Sequence, residues 1–212
     1  MLRRFRERIR RVGVRRAVKE AFRAFLPDQF EIWHLELSSS AIAGVTDTGV
    51  NLFAGSRAVE KLRDCRAESS NLPIEFYRDE IDNIQSCFLA CIGTHPAAIA
   101  WPYDHTRPVY FLRMFPEDAE IRHVHSLAQF RGRGLAKAVI GLACGSLFRD
   151  GVRNAYAVIR VRNEPSREAF RSCGFVKIAE VRRSPLFGPR FITARACTET
   201  WRETLGGIFR PR

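Results

Sequence analysis

Residues 129–136 read QFRGRGLA, with Gly132 and Gly134 two apart, Arg131 and Arg133 beside them, and an apolar run beginning at Leu135. A glycine inside a helix costs about 1 kcal/mol relative to alanine, so this pair predicts a loop that opens a helix. Backbone N–H groups without partners converge at such a helix start, on the positive end of its dipole, and glycines let an anion approach them. The segment is therefore a candidate anion cradle. It is not a Walker A loop, because no Gly-Lys-Ser/Thr follows, and it lacks the third glycine and the later acidic residue of a dinucleotide fingerprint.

Just upstream, AEIRHVHSLA carries Glu120, His123 and His125. A carboxylate or an imidazole can take a proton from a nucleophile. Read as a strand, the segment puts Glu120 on one parity and both histidines on the other, so only one set is expected to face a given pocket. The His-x-His pair has no third ligand at suitable spacing, and no metal site is expected. The six cysteines, at 65, 87, 91, 144, 173 and 197, form no Cys-x-x-Cys and no zinc pattern. Several lie in apolar stretches and read as free thiols in a reducing compartment.

The elements that must position these residues follow from periodicity. FEIWHLELS from Phe30 alternates as a strand, and 56–68 has helical spacing. A strand, a turn at Gly93–Pro96 and a second strand span 83–104, and 107–115 reads as a further strand or its continuation. A strand is expected over 119–128, a helix over 134–149 and a strand over 154–161. The next helix starts near Pro165 and is capped at Gly174, before a closing hairpin of FVKIAEVRRS and RFITARAC. A strand–helix–strand crossover favours parallel pairing of 119–128 with 154–161. The fold class is α/β (α+β), a mixed twisted sheet flanked by helices.

Net charge is +12, and +8 of it lies in residues 1–26, which hold nine arginines and Lys19 against Glu7 and Glu20. Residues 2–25 read as helical, with an apolar stripe that changes face near Gly13, and Pro27 ends them. Three regions are expected: a basic helical extension over 1–27, a main domain over 28–200 and a basic tail over 201–212. The extension suits an acidic carrier protein or an anionic membrane surface. The near balance of charge elsewhere argues against nucleic acid as a partner. With no apolar run of about 18 residues and no signal-peptide pattern, the expected location is the cytoplasm, with peripheral membrane attachment through 1–26 allowed. A homodimer is compatible with the sequence.

FRGRGLAKAVI followed by NEPSREAFRSCGF resembles the GNAT superfamily, the acyl-CoA-dependent N-acyltransferases. The family's loop [Q/R]xxGx[G/A] is matched by Arg131, Gly134 and Ala136, and its second motif by Asn163, Ser166, Phe170, Gly174 and Phe175. The resemblance is strongest over 119–196, follows the element order from about residue 30, and does not reach 1–27. It implies the GNAT fold, in which strand 119–128 splays from strand 154–161. The amides of Arg131, Gly132, Arg133, Gly134, Leu135 and Ala136 would hold the coenzyme A pyrophosphate. Val124, His125 and Ser126 would pair with the pantetheine arm, and Asn163 and Ser166 would lie near the thioester.

The implied reaction is acetyl transfer from acetyl-CoA, or another acyl-CoA, to a primary amine of a small molecule or amino sugar, by direct attack in a ternary complex and without a metal. Glu120, eleven residues before Arg131, is the candidate base, with His123 second. Phe170 stands at the cofactor-side position where many members have a tyrosine that protonates the leaving thiolate, and Cys173 is the nearest alternative acid. Two other readings stand beside this one. The basic extension suits a long-chain N-acyltransferase using acyl-CoA or acyl carrier protein, and Phe170 suits a catalytically weak acyl-CoA-binding module. Candidate acceptor-pocket residues are Trp33, Phe76, Tyr77, Trp101, Tyr103, Arg107 and Arg113.

Overall fold

The computed structural model describes residues 28–38, 49–69, 71–107, 111–183 and 192–196. The extension over 1–27 and the tail over 201–212 lie outside the described residues. In chain order the elements are β1 (Asp28–Glu36), β2 (Val50–Ala54), α1 (Gly55–Glu68), a 3-10 turn (Ile74–Tyr77) running into the short α2 (Arg78–Ile81), β3 (Cys87–Ile92) and β4 (His95–Tyr103). There follow β5 (Asp118–Ser126), a 3-10 turn (Ala128–Phe130), α3 (Leu135–Arg149), β6 (Asn154–Arg160), α4 (Glu164–Ser172), β7 (Val176–Arg183) and β8 (Ile192–Ala196).

The strands form one sheet in the order β2-β3-β4-β5-β6-β1-β7-β8. Along β4, Ile99, Trp101 and Tyr103 enter one apolar cluster while Ala98 and Ala100 enter the other, as the two-residue period of a strand requires. α1 buries Ala58, Val59, Leu62 and Cys65, a three-to-four-residue stripe, on the first face. α3 and α4 supply Val139, Ala143 and Phe170 to the second. Cys65, Cys87, Cys91 and Cys144 are buried free thiols within these layers.

One expectation is corrected. Residues 111–115 add no strand; a turn at Phe115–Asp118, closed by Asp118 N–H to Phe115 O at 3.0 Å and by Phe115 N–H to the Asp118 carboxylate at 2.9 Å, restarts the chain as β5. Strand β2 and the turn-helix over 74–81 were not expected, because five and eight residues are too short for a periodic signal.

Among the described strands, β5 and β6 run parallel, and they pair only at Asp118↔Asn154, Ala119↔Ala155 and Glu120↔Tyr156. β5 stays paired to β4 as far as Ser126. The two strands therefore splay beyond Glu120. Their closed end is tied by side chains: Asn154 Nδ2 donates to Asp118 Oδ1 at 3.0 Å, and Asn154 Oδ1 lies 3.1 Å from His34 Nε2 on β1. Burial pushes the Asp118 carboxyl up and the His34 imidazole down from their ordinary values.

The β4–β5 ladder shifts register between Ile99↔His125 and Trp101↔Arg122, so His123 and Val124 share the space opposite Ala100. This is a β-bulge, and His123 takes a left-handed φ of 50° within it. The bulge overturns the parity argument made from the sequence. Glu120, Arg122 and His125 oppose Tyr103, Trp101 and Ile99, alternate residues of β4, and so lie on one face.

Candidate active site

The glycine loop sits where β5 ends and α3 begins. Gly132 and Gly134 have φ of 78° and 72°, and no atom lies within 4 Å of where a Cβ would stand on either. The first helical bond runs from Ala138 N–H to Gly134 O at 3.0 Å, no side chain caps α3, and no acidic residue stands in its first turn. The leading amides of α3 thus lack intrahelical acceptors, and the acidic residue on the cavity they border is Glu168 of α4, paired with Arg171. Arg131 Nε donates to Ser126 O at 3.2 Å and fixes the loop to the end of β5. These features fit a pyrophosphate.

Two open cavities flank the splay. One, about 810 Å³, is lined by Val124, His125, Ser126, Arg131, Gly132, Gly134, Leu135, Ala136, Asn163 and Ser166, with further residues of α4. Ten of the residues assigned to the cofactor from the sequence meet there; Arg133 does not line it. The other, about 680 Å³, runs from Glu120 to Val124 along β5 and from Ala157 to Arg160 along β6, and is closed by Phe30, Glu75, Phe111 and Phe170. Val124, Asn163 and Ser166 border both.

α4 positions two of these shared residues. Asn163 is its N-cap, with Oδ1 accepting from Ser166 N–H at 3.4 Å, and Pro165 occupies the first turn. Arg167, one residue on, reaches the buried Glu31 carboxylate at 3.4 Å and ties the helix to β1.

The smaller cavity holds both candidate bases, which the bulge brings together. Glu120 is 3% exposed, with Arg122 Nε 3.7 Å from its carboxylate. Burial pushes its carboxyl up to about 7, and the Arg122 charge only partly offsets this. His123 is pushed down to about 4 by burial and by the cations of Arg78 and Arg122, and its ring rests 5.8 Å from Tyr103. His125 Nδ1 stands 3.8 Å from the Glu75 carboxylate. Trp101 Nε1 donates to Glu75 O at 2.8 Å and pins that turn to the sheet.

Phe170 is 2% exposed and packs edge-on against Phe175, with ring centroids 4.9 Å apart. It borders the smaller cavity and not the larger one. Cys173 Sγ lies 3.6 Å from Lys137 O, and burial pushes its thiol up, so it faces α3 and is not placed to act as an acid. None of the seven residues named from the sequence for the acceptor side lines the smaller cavity. Trp33, Phe76, Trp101 and Tyr103 are buried in the core, and Arg107 is held by Asp82 O at 2.6 Å and Asn83 O at 2.9 Å. The walls are instead Phe30, Glu75 and Phe111, none of which carries a sequence signal of its own. Among the described residues no group of three or more His, Cys, Asp or Glu could hold a metal, and no helix is long and apolar enough to cross a membrane.

The model of the Acetyltransferase (GNAT) family matches residues 56–175, more than half of the chain. Among solved structures, a GCN5-related N-acetyltransferase from Sphaerobacter thermophilus is similar at 15% identity over 82% of this chain and 58% of that one, with a TM-score of 0.53. A GCN5-related glucosamine N-acetyltransferase region of a fungal multi-domain GH3 β-N-acetylglucosaminidase is similar at 14% identity, 79% and 22% coverage and 0.52. A GNAT-family acetyltransferase from Colwellia psychrerythraea is similar at 13% identity, 71% and 53% coverage and 0.50. The chain thus spans less than two thirds of the length of each, and at these identities the likeness is one of fold. No curated protein matches the sequence. The family match runs through the bulged strand, the glycine loop and the capped helix that together build the splayed cleft, and this chain belongs to the GNAT acetyltransferase family.

Proposed function

We propose that the protein transfers an acyl group, acetyl in the simplest case, from acyl-coenzyme A to the primary amine of a small molecule or amino sugar by direct attack in a ternary complex. The observation that carries this reading is the meeting of two cavities at Val124, Asn163 and Ser166, where β5 leaves β6. Acyl-CoA would supply the activated thioester. The amides around Gly132 and Gly134 would hold its pyrophosphate, and the free edge of β5 from Val124 to Ser126 would pair with its pantetheine arm. Backbone N–H groups of the bulged strand would face the carbonyl oxygen as it gains charge.

An alkyl ammonium has a pKa near 10.4, so only roughly one molecule in a few thousand is a free amine at pH 7. Glu120 would remove that proton. A carboxyl held at about 7 is well matched to this task near neutral pH, whereas an imidazole held at about 4 is a much weaker base. The buried, hydroxyl-free Phe170 favours a second reading, an acyl-CoA-binding module with weak turnover. Free-thiol release from acetyl-CoA and longer acyl-CoAs across a panel of amines separates the two. Amine-dependent release is expected; binding of coenzyme A with no release from any donor would overturn the enzyme reading. Release confined to long-chain donors would assign a long-chain N-acyltransferase instead.

A further inference from the structure

The thioester of a donor held in the larger cavity must face an amine held in the smaller one, so its sulfur lies where the two meet. Three residues border both cavities there. Val124 has an apolar side chain. Asn163 has its side-chain oxygen committed to capping α4, which leaves its amide Nδ2 as its donor. Ser166 is half-buried, and the cap uses its backbone N–H, not its hydroxyl. Ser166 also lies four residues before Phe170, on the same face of α4, so its Oγ is one helical turn from the aromatic ring. Both residues border the smaller cavity, and Ser166 alone of the two also borders the larger.

We infer that the Ser166 hydroxyl is a hydrogen-bond donor to the departing sulfur, in place of a phenol at position 170. The inference rests on the acyltransferase reading above. In the step itself, the amine lone pair forms the new C–N bond and the C–S bond breaks with its electron pair leaving on sulfur. Glu120 passes the first ammonium proton to solvent and takes the second from nitrogen as the amide forms. The sulfur departs as thiolate, accepts the Ser166 O–H hydrogen bond, and gains its proton from solvent. A serine hydroxyl is too weak an acid to transfer a proton outright to a thiolate whose conjugate acid has a pKa near 8.5, so its contribution is stabilisation of charge.

The hydroxyl is not part of the helix cap, so Ser166→Ala can be tested in a folded chain. The probe is free coenzyme A, whose bound thiol is titrated by its ultraviolet thiolate absorbance in wild type, Ser166→Ala and Ser166→Thr. Binding is followed separately by calorimetry. The expected result is a bound thiol pKa about one unit lower in wild type and Ser166→Thr than in Ser166→Ala. With acetyl-CoA, Ser166→Ala should lose roughly tenfold to a hundredfold in kcat with KM for the donor nearly unchanged. Identical thiol titration in all three proteins, or an unchanged kcat in Ser166→Ala, overturns the inference and leaves the acyltransferase reading standing. Failure of wild type to bind coenzyme A overturns both.

Discussion

Glu120 and Tyr156 are the last residues to lie side by side in the parallel ladder between β5 and β6. The candidate base therefore stands at the crotch of the splay, where the sheet is still closed beneath it and open above it. That placement explains both its burial and its raised carboxyl value, which rises because ionisation must occur without water.

The first prediction concerns pH. For the wild type, kcat/KM for the amine should rise with a midpoint of about 7, as Glu120 ionises. Glu120→Gln should remove that limb and lower kcat/KM by roughly a hundredfold. Stability moves the other way. Because the folded value lies above the ordinary 4.5, the folded state keeps a proton that the unfolded state releases. The stability so gained is complete below about 4.5 and is lost as pH rises through about 7. Glu120→Gln should therefore gain thermal stability over wild type on going from pH 5 to pH 8, measured by calorimetry.

His123 provides the contrast. Asparagine tolerates the left-handed φ of 50° and removes the imidazole. His123→Asn should keep the limb near pH 7 and change kcat/KM by only a small factor. Loss of that limb in a pH–rate profile would transfer the role of base from Glu120 to His123.

At the loop, a methyl group at Gly132 or Gly134 would meet no protein atom but would strain a left-handed backbone by roughly 1–2 kcal/mol and intrude on the space beside the amides. Gly132→Ala and Gly134→Ala should raise the donor KM about tenfold or more while leaving the amine KM unaltered. Steady-state kinetics with both substrates varied would check the split, and an unaltered donor KM would remove the loop from the donor site.

The closed end of the splay yields a stability prediction. Asn154→Ala takes a donor from the buried Asp118 carboxylate and a partner from His34 in one change. A loss of about 1–3 kcal/mol is expected in the urea midpoint analysis. A change within a few tenths would mean that the pairing of β5 and β6 does not depend on this ladder.

Much of the fold was legible because its elements are long enough to show a period. α3 carries an apolar run over Leu135–Arg149, and α4 announces itself with Asn163, Pro165 and Gly174. The glycine loop was legible for a similar reason, since two left-handed positions leave few residue types to fill them. The bulge was not. One inserted residue leaves no compositional trace, yet it brings Glu120 and His123 to one cavity after the plain strand period had set them apart. Glu75 was equally hidden, because a four-residue 3-10 turn held by a distant Trp101 is a tertiary fact.

The two cavities share only three residues, and each opens to the surface beyond them. Under the proposed reaction, neither substrate has to pass through the other's chamber. Initial-rate lines for donor and amine should then intersect instead of running parallel, and an excess of amine should not obstruct loading of the donor. The departing thiol likewise has its own exit, so the acylated product and coenzyme A can leave in either sequence.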